Sequence, residues 1–344
     1  MTDYFVAHSN IFQNFHNQAY NVVPQNIVQK NKHIKNDYFL KSTDSNSINS
    51  NKNNNKNKKI LFSSLAVLAT LALGYIVGIR KFESKFFKGI AKNVKPEEIN
   101  LPELKNITKE LTLTSKKGNK INVWDINPNN YDKYIINCNG IDAGKRSQGS
   151  ILKQVKEHNY GFIEFDYCGQ GKSTGKFSQE GALESLNTVI NYLRGKGVSD
   201  KNIVLVGHSM GTGVACDYAQ NNTVRGLVLI QPFDKFQNAI KANILKVDSL
   251  PKVVKKIVHN FPNCMIPIKN KFNNLKALKL IESPTLIITS KGDNVVHSNL
   301  TRNLYEKTKK FGNKKILEFE TGGHFITEEK ENAYFKFIDK LFSS

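Results

Sequence analysis

The sequence predicts an α/β fold, a mostly parallel sheet with helices on both faces and an antiparallel hairpin at its start. Three observations predict it. From about residue 111 to the C-terminus, short apolar runs alternate with amphipathic stretches, the pattern of strands joined through helical crossovers. Two segments of alternating character, residues 111–114 and 121–125, flank the turn Lys116-Lys117-Gly118-Asn119, which reads as a hairpin. Finally, the pentapeptide Gly207-His208-Ser209-Met210-Gly211 stands between an apolar run, residues 202–206, and a helix-like stretch, residues 212–220. Gly-x-Ser-x-Gly at a strand-to-helix turn is the nucleophile-elbow pattern, which lifts the serine hydroxyl above the sheet edge. Its glycines are needed because side chains there would clash with the converging strand and helix.

Taken in order, the elements begin with residues 1–59, which lack a sustained hydrophobic period. Their Asn/Lys-rich end, residues 42–59, is of low complexity, and disorder is expected over residues 1–59. Residues 60–79 (ILFSSLAVLATLALGYIVGI) carry no charge and are bounded by Lys58, Lys59, Arg80 and Lys81. That length crosses a bilayer core of about 30 Å. Ser63, Ser64 and Thr70 leave a buried soluble helix as a competitor, but length and lack of charge predict a single transmembrane helix and hence a single-pass membrane protein. Positive charge at both ends leaves its orientation open.

A linker over residues 80–110, with Pro96 and Pro102, leads to the domain of residues 111–344. Strands are expected at 134–136, 162–165, 203–206, 226–230, 285–288 and 315–319. Helices are expected at 147–158, 180–193, 210–220, 299–310 and 328–342. Residues 231–282 interrupt the alternation, with Phe236, Ile240 and Ile244, then Val253, Val254, Ile257, Val258 and Phe261, at helical spacing among lysines. This reads as a short lid whose apolar face either packs on the core or meets an anionic bilayer.

A net charge of +21 raises the question of nucleic acid, yet the lysines are scattered and no recognition motif accompanies them. Attraction to an anionic membrane surface is the better reading. Cys138, Cys168, Cys216 and Cys264 lack metal-ligand spacing and read as reduced buried thiols. No metal or cofactor is expected. Gly169-Gln170-Gly171-Lys172-Ser173 ends like a phosphate-binding loop, but Asp166 stands where the first glycine belongs and no helix opens after the lysine.

Five pieces in order carry a family resemblance: Asn139-Gly140 after the third strand, residues 166–173 after the fourth, the elbow at Ser209, Gly292-Asp293-Asn294-Val295-Val296 after the seventh, and Gly322-Gly323-His324-Phe325 after the eighth. From about residue 111 onward the chain resembles the α/β-hydrolases. It is most similar to serine aminopeptidase-like and membrane-anchored α/β-hydrolase-domain proteins, which include acylglycerol lipases, lysophospholipases and protein depalmitoylases. The resemblance implies a serine hydrolase that cleaves carboxylic ester or thioester bonds of a lipid or acyl substrate through an acyl-enzyme. A serine peptidase or amidase on the same scaffold is the alternative, with a non-catalytic binding module behind it.

Each implied role has a physical requirement. Ser209 needs a base within hydrogen-bond reach. His324, on a glycine-flanked loop after a strand, supplies a neutral imidazole that can return the proton. Asp293 fixes its tautomer. Asp234, after the sixth strand, is the rival acid and otherwise an exposed charge at the start of the lid. The backbone N–H groups of Met210 and Ile141 are the expected oxyanion donors, although the family usually has His-Gly where this chain has Asn139-Gly140. His208, inside the elbow, is expected to pack or hydrogen-bond locally.

Overall fold

The computed structural model describes residues 91–127, 129–141, 144–245 and 268–344, with scattered positions from 69 to 90 and from 252 to 260. The chain divides into two compact units, Met1–Phe82 and Glu83–Ser344. The segment expected to be disordered, residues 1–59, lies outside the described residues, as does much of the expected span, residues 60–79. The positions described within that span are helical, and Leu73, Ile76 and Val77 are exposed. Among the described residues no helix is long and apolar enough to cross a membrane.

Eight strands form one sheet in the second unit: β1 (Thr108–Thr114), β2 (Lys120–Ile126), β3 (Tyr134–Cys138), β4 (Gly161–Phe165), β5 (Ile203–His208), β6 (Gly226–Ile230), β7 (Thr285–Ser290) and β8 (Lys314–Phe319). Their order is β1-β2-β4-β3-β5-β6-β7-β8. β1 pairs antiparallel with β2, and β2 with β4; every other pairing is parallel. The hairpin closes where expected. Gly118 takes the positive φ of +84° that the turn needs, and Ser115 Oγ accepts the Asn119 N–H at 3.1 Å.

The helices are α1 (Pro102–Asn106), α2 (Gln148–Glu157), α3 (Gln179–Gly195), α4 (Met210–Ala219), α5 (Phe236–Leu245), α6 (Asn274–Ala277), α7 (Ser298–Thr308) and α8 (Glu328–Ser343). β3, β4, β6 and β7 are buried along their whole length, as parallel strands covered on both faces must be. The period of two sorts their side chains. Val204, Val206, Val228, Ile230, Leu286 and Ile288 turn to one face, where they meet Ile151 of α2 and Phe335 and Ile338 of α8. Each such fully buried aliphatic contributes roughly 1.5–3 kcal/mol.

The stretch read as a linker differs from expectation. Glu83, Phe87, Val94 and Leu104 are all buried. Both carboxylate oxygens of Glu83 accept from the Lys269 amide, and Oε1 also takes the amide and Nδ2 of Asn270. Phe87 packs on Phe177 and Phe236. Pro102, read as part of the linker, occupies the first turn of α1, where a missing N–H is harmless and the fixed φ suits a helix. In the stretch read as a lid, α5 carries the expected spacing of Phe236, Ile240 and Ile244. The second apolar stretch, residues 253–261, lies largely outside the described residues. Cys138, Cys168 and Cys216 are buried free thiols, and Cys264 lies outside the described residues.

The strand order positions the site. From β3 the chain moves outward to β4, then crosses back to place β5 on the other side of β3. A sheet whose order reverses in this way opens a crevice at the carboxyl ends of the two adjacent strands. Cys138 pairs in register with Gly207, so the Asn139 loop and Ser209 emerge side by side into that crevice.

Candidate active site

Ser209 sits between β5 and α4 with φ 53° and ψ −118°. A non-glycine residue held at positive φ costs of order 1–3 kcal/mol and persists only where its surroundings over-determine it. Here they do. The Ser209 amide donates to Ile230 O at 2.9 Å, while its carbonyl accepts from Thr212 N at 3.1 Å and Thr212 Oγ1 at 2.6 Å. The glycines are required by close approach. A Cβ on Gly207 would lie 2.7 Å from Gly211 O, and one on Gly211 would lie 2.5 Å from the Cys138 carbonyl carbon.

The loop after β7 carries Asp293, which is 2 % exposed. Its Oδ1 accepts from the amides of Val295 at 2.7 Å and Val296 at 2.8 Å, and its Oδ2 lies 2.8 Å from His324 Nδ1. A carboxylate can only accept, so Nδ1 donates and Nε2 is the ring's basic nitrogen. Burial pushes the Asp293 carboxyl up, but the hydrogen bond and charge of His324, with the two amides, outweigh it and hold the pKa below the ordinary value.

Asp234 is elsewhere. It is 3 % exposed, not the exposed charge expected. Its Oδ1 accepts the Lys235 amide at 2.6 Å, and its Oδ2 accepts the Asn238 side chain at 2.7 Å and that of Asn303 at 3.5 Å, just before α5, where the helix end also favours an acid. The structure thus brings Asp293 to His324 and leaves Asp234 just ahead of α5.

His208 also departs from expectation. Its Nε2 lies 2.8 Å from the carbonyl oxygen of His324, a contact across the site and not a local one. Since a carbonyl accepts, Nε2 carries the proton. Burial above all, and then the neighbouring His324 ring, push the His208 pKa down to about 3, so the ring is neutral. The two imidazole centroids are 5.0 Å apart, which sets the residue preceding Ser209 directly against His324.

Met210 opens α4, so its N–H belongs to the first turn, where a helix has donors without intrahelical acceptors. Ile141 is half-buried in the turn after β3, and its carbonyl accepts from Gln170 Nε2 at 2.9 Å. Asn139 holds this loop by donating Nδ2 to Glu164 Oε2 at 3.1 Å. Glu164 also takes the Asn137 side chain and the Arg146 amide. Burial raises its pKa, and these donors and the Arg146 charge offset part of that rise. The glycine-rich loop at 169–173 bonds inward: Gly169 N donates to Thr174 O, Gly171 N to Val94 O and Lys172 N to Asp166 Oδ2. Those amides are spent within the protein, unlike the phosphate cradle their spacing mimics.

Burial raises the thiol pKa of Cys138, Cys168 and Cys216, which keeps them protonated and poor nucleophiles. Among the described residues no group of three or more His, Cys, Asp or Glu is disposed to hold a metal ion.

Glu164, Gln231 and Lys330 were not legible as site-supporting residues from motif alone. Each carried a signal nonetheless, a polar side chain where the pattern demands an apolar one. Glu164 interrupts the buried strand GFIEF. Gln231 directly follows β6 and holds φ 55°. Lys330 falls on the same helical stripe as Tyr334, Phe335 and Ile338.

A sequence model of the alpha/beta hydrolase fold matches residues 133–265. Over that stretch the chain has the α/β-hydrolase fold. Among relatives of this hydrolase-fold chain, "Putative alpha/beta hydrolase L404" of Acanthamoeba polyphaga mimivirus is 28 % identical over 208 residues, 58 % of this chain and 72 % of that protein. The lysophosphatidylserine lipase ABHD12 of Rattus norvegicus is 29 % identical over 167 residues, 45 % of this chain but only 39 % of the lipase's own length. The esterase Pf2001 of Pyrococcus furiosus shares the fold, with a TM-score of 0.58 at 21 % identity over 72 % of this chain and 97 % of the esterase.

Proposed function

We propose that this chain is a serine hydrolase that cleaves carboxylic ester or thioester bonds of a lipid or acyl substrate. The observation that carries the reading is the buried Asp293–His324 hydrogen bond of 2.8 Å beside a serine held at positive φ on the elbow. Ser209 Oγ attacks the acyl carbon while its proton passes to His324 Nε2. Asp293 holds the tautomer and stabilises the resulting imidazolium. The carbonyl oxygen, now an oxyanion, is met by the N–H groups of Met210 and Ile141. The tetrahedral adduct collapses, the imidazolium protonates the departing alcohol or thiol, and the acyl group remains on Ser209. Water, deprotonated by the same imidazole, releases the carboxylic acid and restores the serine. The activities carried in the names of the lipase and the esterase support the choice of ester over amide.

A panel of aryl esters, acyl-thioesters, lysophospholipids and peptide amides, run on the full chain in micelles beside fluorophosphonate labelling, tests this reading. Turnover of an ester or thioester with labelling at Ser209 is expected. Amide turnover alone would move the chain to the peptidases, and neither turnover nor labelling would remove it from the serine hydrolases.

The same reading includes a single-pass anchor at residues 60–79, supported by their lack of charge and by the exposure of Leu73, Ile76 and Val77. A protein held at a membrane by its lysines alone washes off as salt screens the attraction. Here both high salt and alkaline carbonate should leave the full chain in the pellet, while a chain lacking residues 1–81 stays in the supernatant. Release of the full chain by either wash would refute the anchor.

A further inference from the structure

The loop that carries His324 turns its carbonyls inward, and three elements grip them. His208, at the end of β5, holds His324 O. Gln231, after β6, donates Nε2 to Gly323 O at 2.5 Å and is itself fixed by Ser290, whose amide donates to Gln231 Oε1 at 3.2 Å. Lys330, in the first turn of α8, places its ammonium 3.4 Å from Gly322 O, 2.9 Å from Gly323 O and 2.6 Å from Phe325 O. Gly322 and Gly323, at φ 86° and 47°, supply the left-handed turns that aim these carbonyls at it.

Lys330 is out of place by every local rule. Its side chain is fully buried, on the apolar stripe of α8, at the helix end that disfavours a cation. Burying an ammonium is expensive unless its donors are met. An ammonium has three N–H donors and no acceptor, and the loop offers three carbonyls. A methionine or leucine would fill the same space without that penalty, so packing does not account for a lysine here.

We propose, building on the serine-hydrolase reading, that Lys330 is a positioning residue: its buried ammonium clamps the Gly322–Phe325 backbone and thereby sets the His324 ring between Asp293 and the substrate. A displacement of about 1 Å in a catalytic group costs on the order of 10²-fold in rate, which is the leverage such a clamp has.

The charge of the clamp is conditional. Burial pushes the Lys330 pKa down to about 8, against the opposing pull of Asp293 from the loop after β7 and Glu329 on its own helix. Above that pH the amine keeps two N–H donors for three carbonyls. The sign for stability is opposite. Between about 8 and the unfolded-state value near 10.4 the unfolded chain binds the extra proton, so this group alone makes the fold more stable as pH rises. Loss of activity above pH about 8 without loss of thermal stability therefore separates positioning from unfolding.

The test uses the full chain in micelles with Lys330→Met and Lys330→Arg, reading kcat and KM against pH and, by histidine-selective ¹⁵N labelling, the Nδ1 proton that His324 shares with Asp293. Lys330→Met should lower kcat about 10²-fold with little change in KM and broaden or abolish that proton signal. Lys330→Arg, charged at every accessible pH, should restore the signal and remove the fall in kcat that wild type shows above pH about 8. A Lys330→Met chain with wild-type kcat and an intact signal would overturn the clamp while leaving the hydrolase reading untouched. If wild type proves inactive and unlabelled, the hydrolase reading fails, and the proton signal alone decides the clamp. Should Lys330→Met not fold, a wild-type signal that is unchanged across pH about 8 overturns the proposal.

Discussion

Replacing Ser209 with alanine should lower ester turnover by several orders of magnitude and abolish fluorophosphonate labelling. About 10³-fold over the uncatalysed rate should remain from substrate binding and the oxyanion donors, which the change leaves in place. The elbow itself should survive. The groups that pin it are backbone atoms of residue 209, whose amide donates to Ile230 O and whose carbonyl accepts from Thr212, and alanine keeps both. The variant should therefore retain the melting temperature of wild type, so that loss of turnover reports chemistry and not folding. Near-wild-type turnover, or continued labelling, would show that another residue is the nucleophile.

How much of this was legible in the sequence depended on whether a feature is local. The strands announced themselves either as a pair of alternating segments around a turn or as short, mostly apolar runs, and all eight fall on the expected segments. The elbow was legible because three constraints coincide within five residues: a strand end, a helix start and two glycines that the structure packs against Gly211 O and the Cys138 carbonyl. The segment before β1 was misread because Pro102 signals either a break or a helix's first turn, and only the burial of Leu104 decides between them. Its attachment through Glu83 to residues 269–270 spans more than 180 positions, beyond any local pattern. The carbonyl grips of His208, Gln231 and Lys330 are of the same kind. Sequence marks such residues as polar in the wrong place, but only the fold names the carbonyl each one reaches. The burial of Asp234 is not legible for a related reason: two of its donors, Lys235 and Asn238, lie beside it in the chain, but the third, Asn303, lies 69 positions away.

The choice between the two carboxylates yields the second large effect. Asp293→Asn should reduce turnover about 10⁴-fold with the fold intact, because an amide in that position can present its NH₂ to Nδ1 and favour the tautomer whose proton sits on Nε2, where a base needs a lone pair. The two amides of Val295 and Val296 that hold Oδ1 can hold an asparagine Oδ1 equally well, so the loop should stay in place and the loss should fall on kcat. Raising the pH should recover none of it, since no carboxylate forms. Asp234→Asn should change turnover by less than about tenfold, because its partners are the Lys235 amide and the Asn238 and Asn303 side chains and its place is just ahead of α5. Its effect belongs to stability: an acid at a helix N-terminus is worth roughly 0.3–1 kcal/mol, up to ~2 kcal/mol when partly buried. A variant pair in which Asp234→Asn is the inactive one and Asp293→Asn turns over normally would mean that the hydrogen bond to His324 Nδ1 is not the one that orients the base.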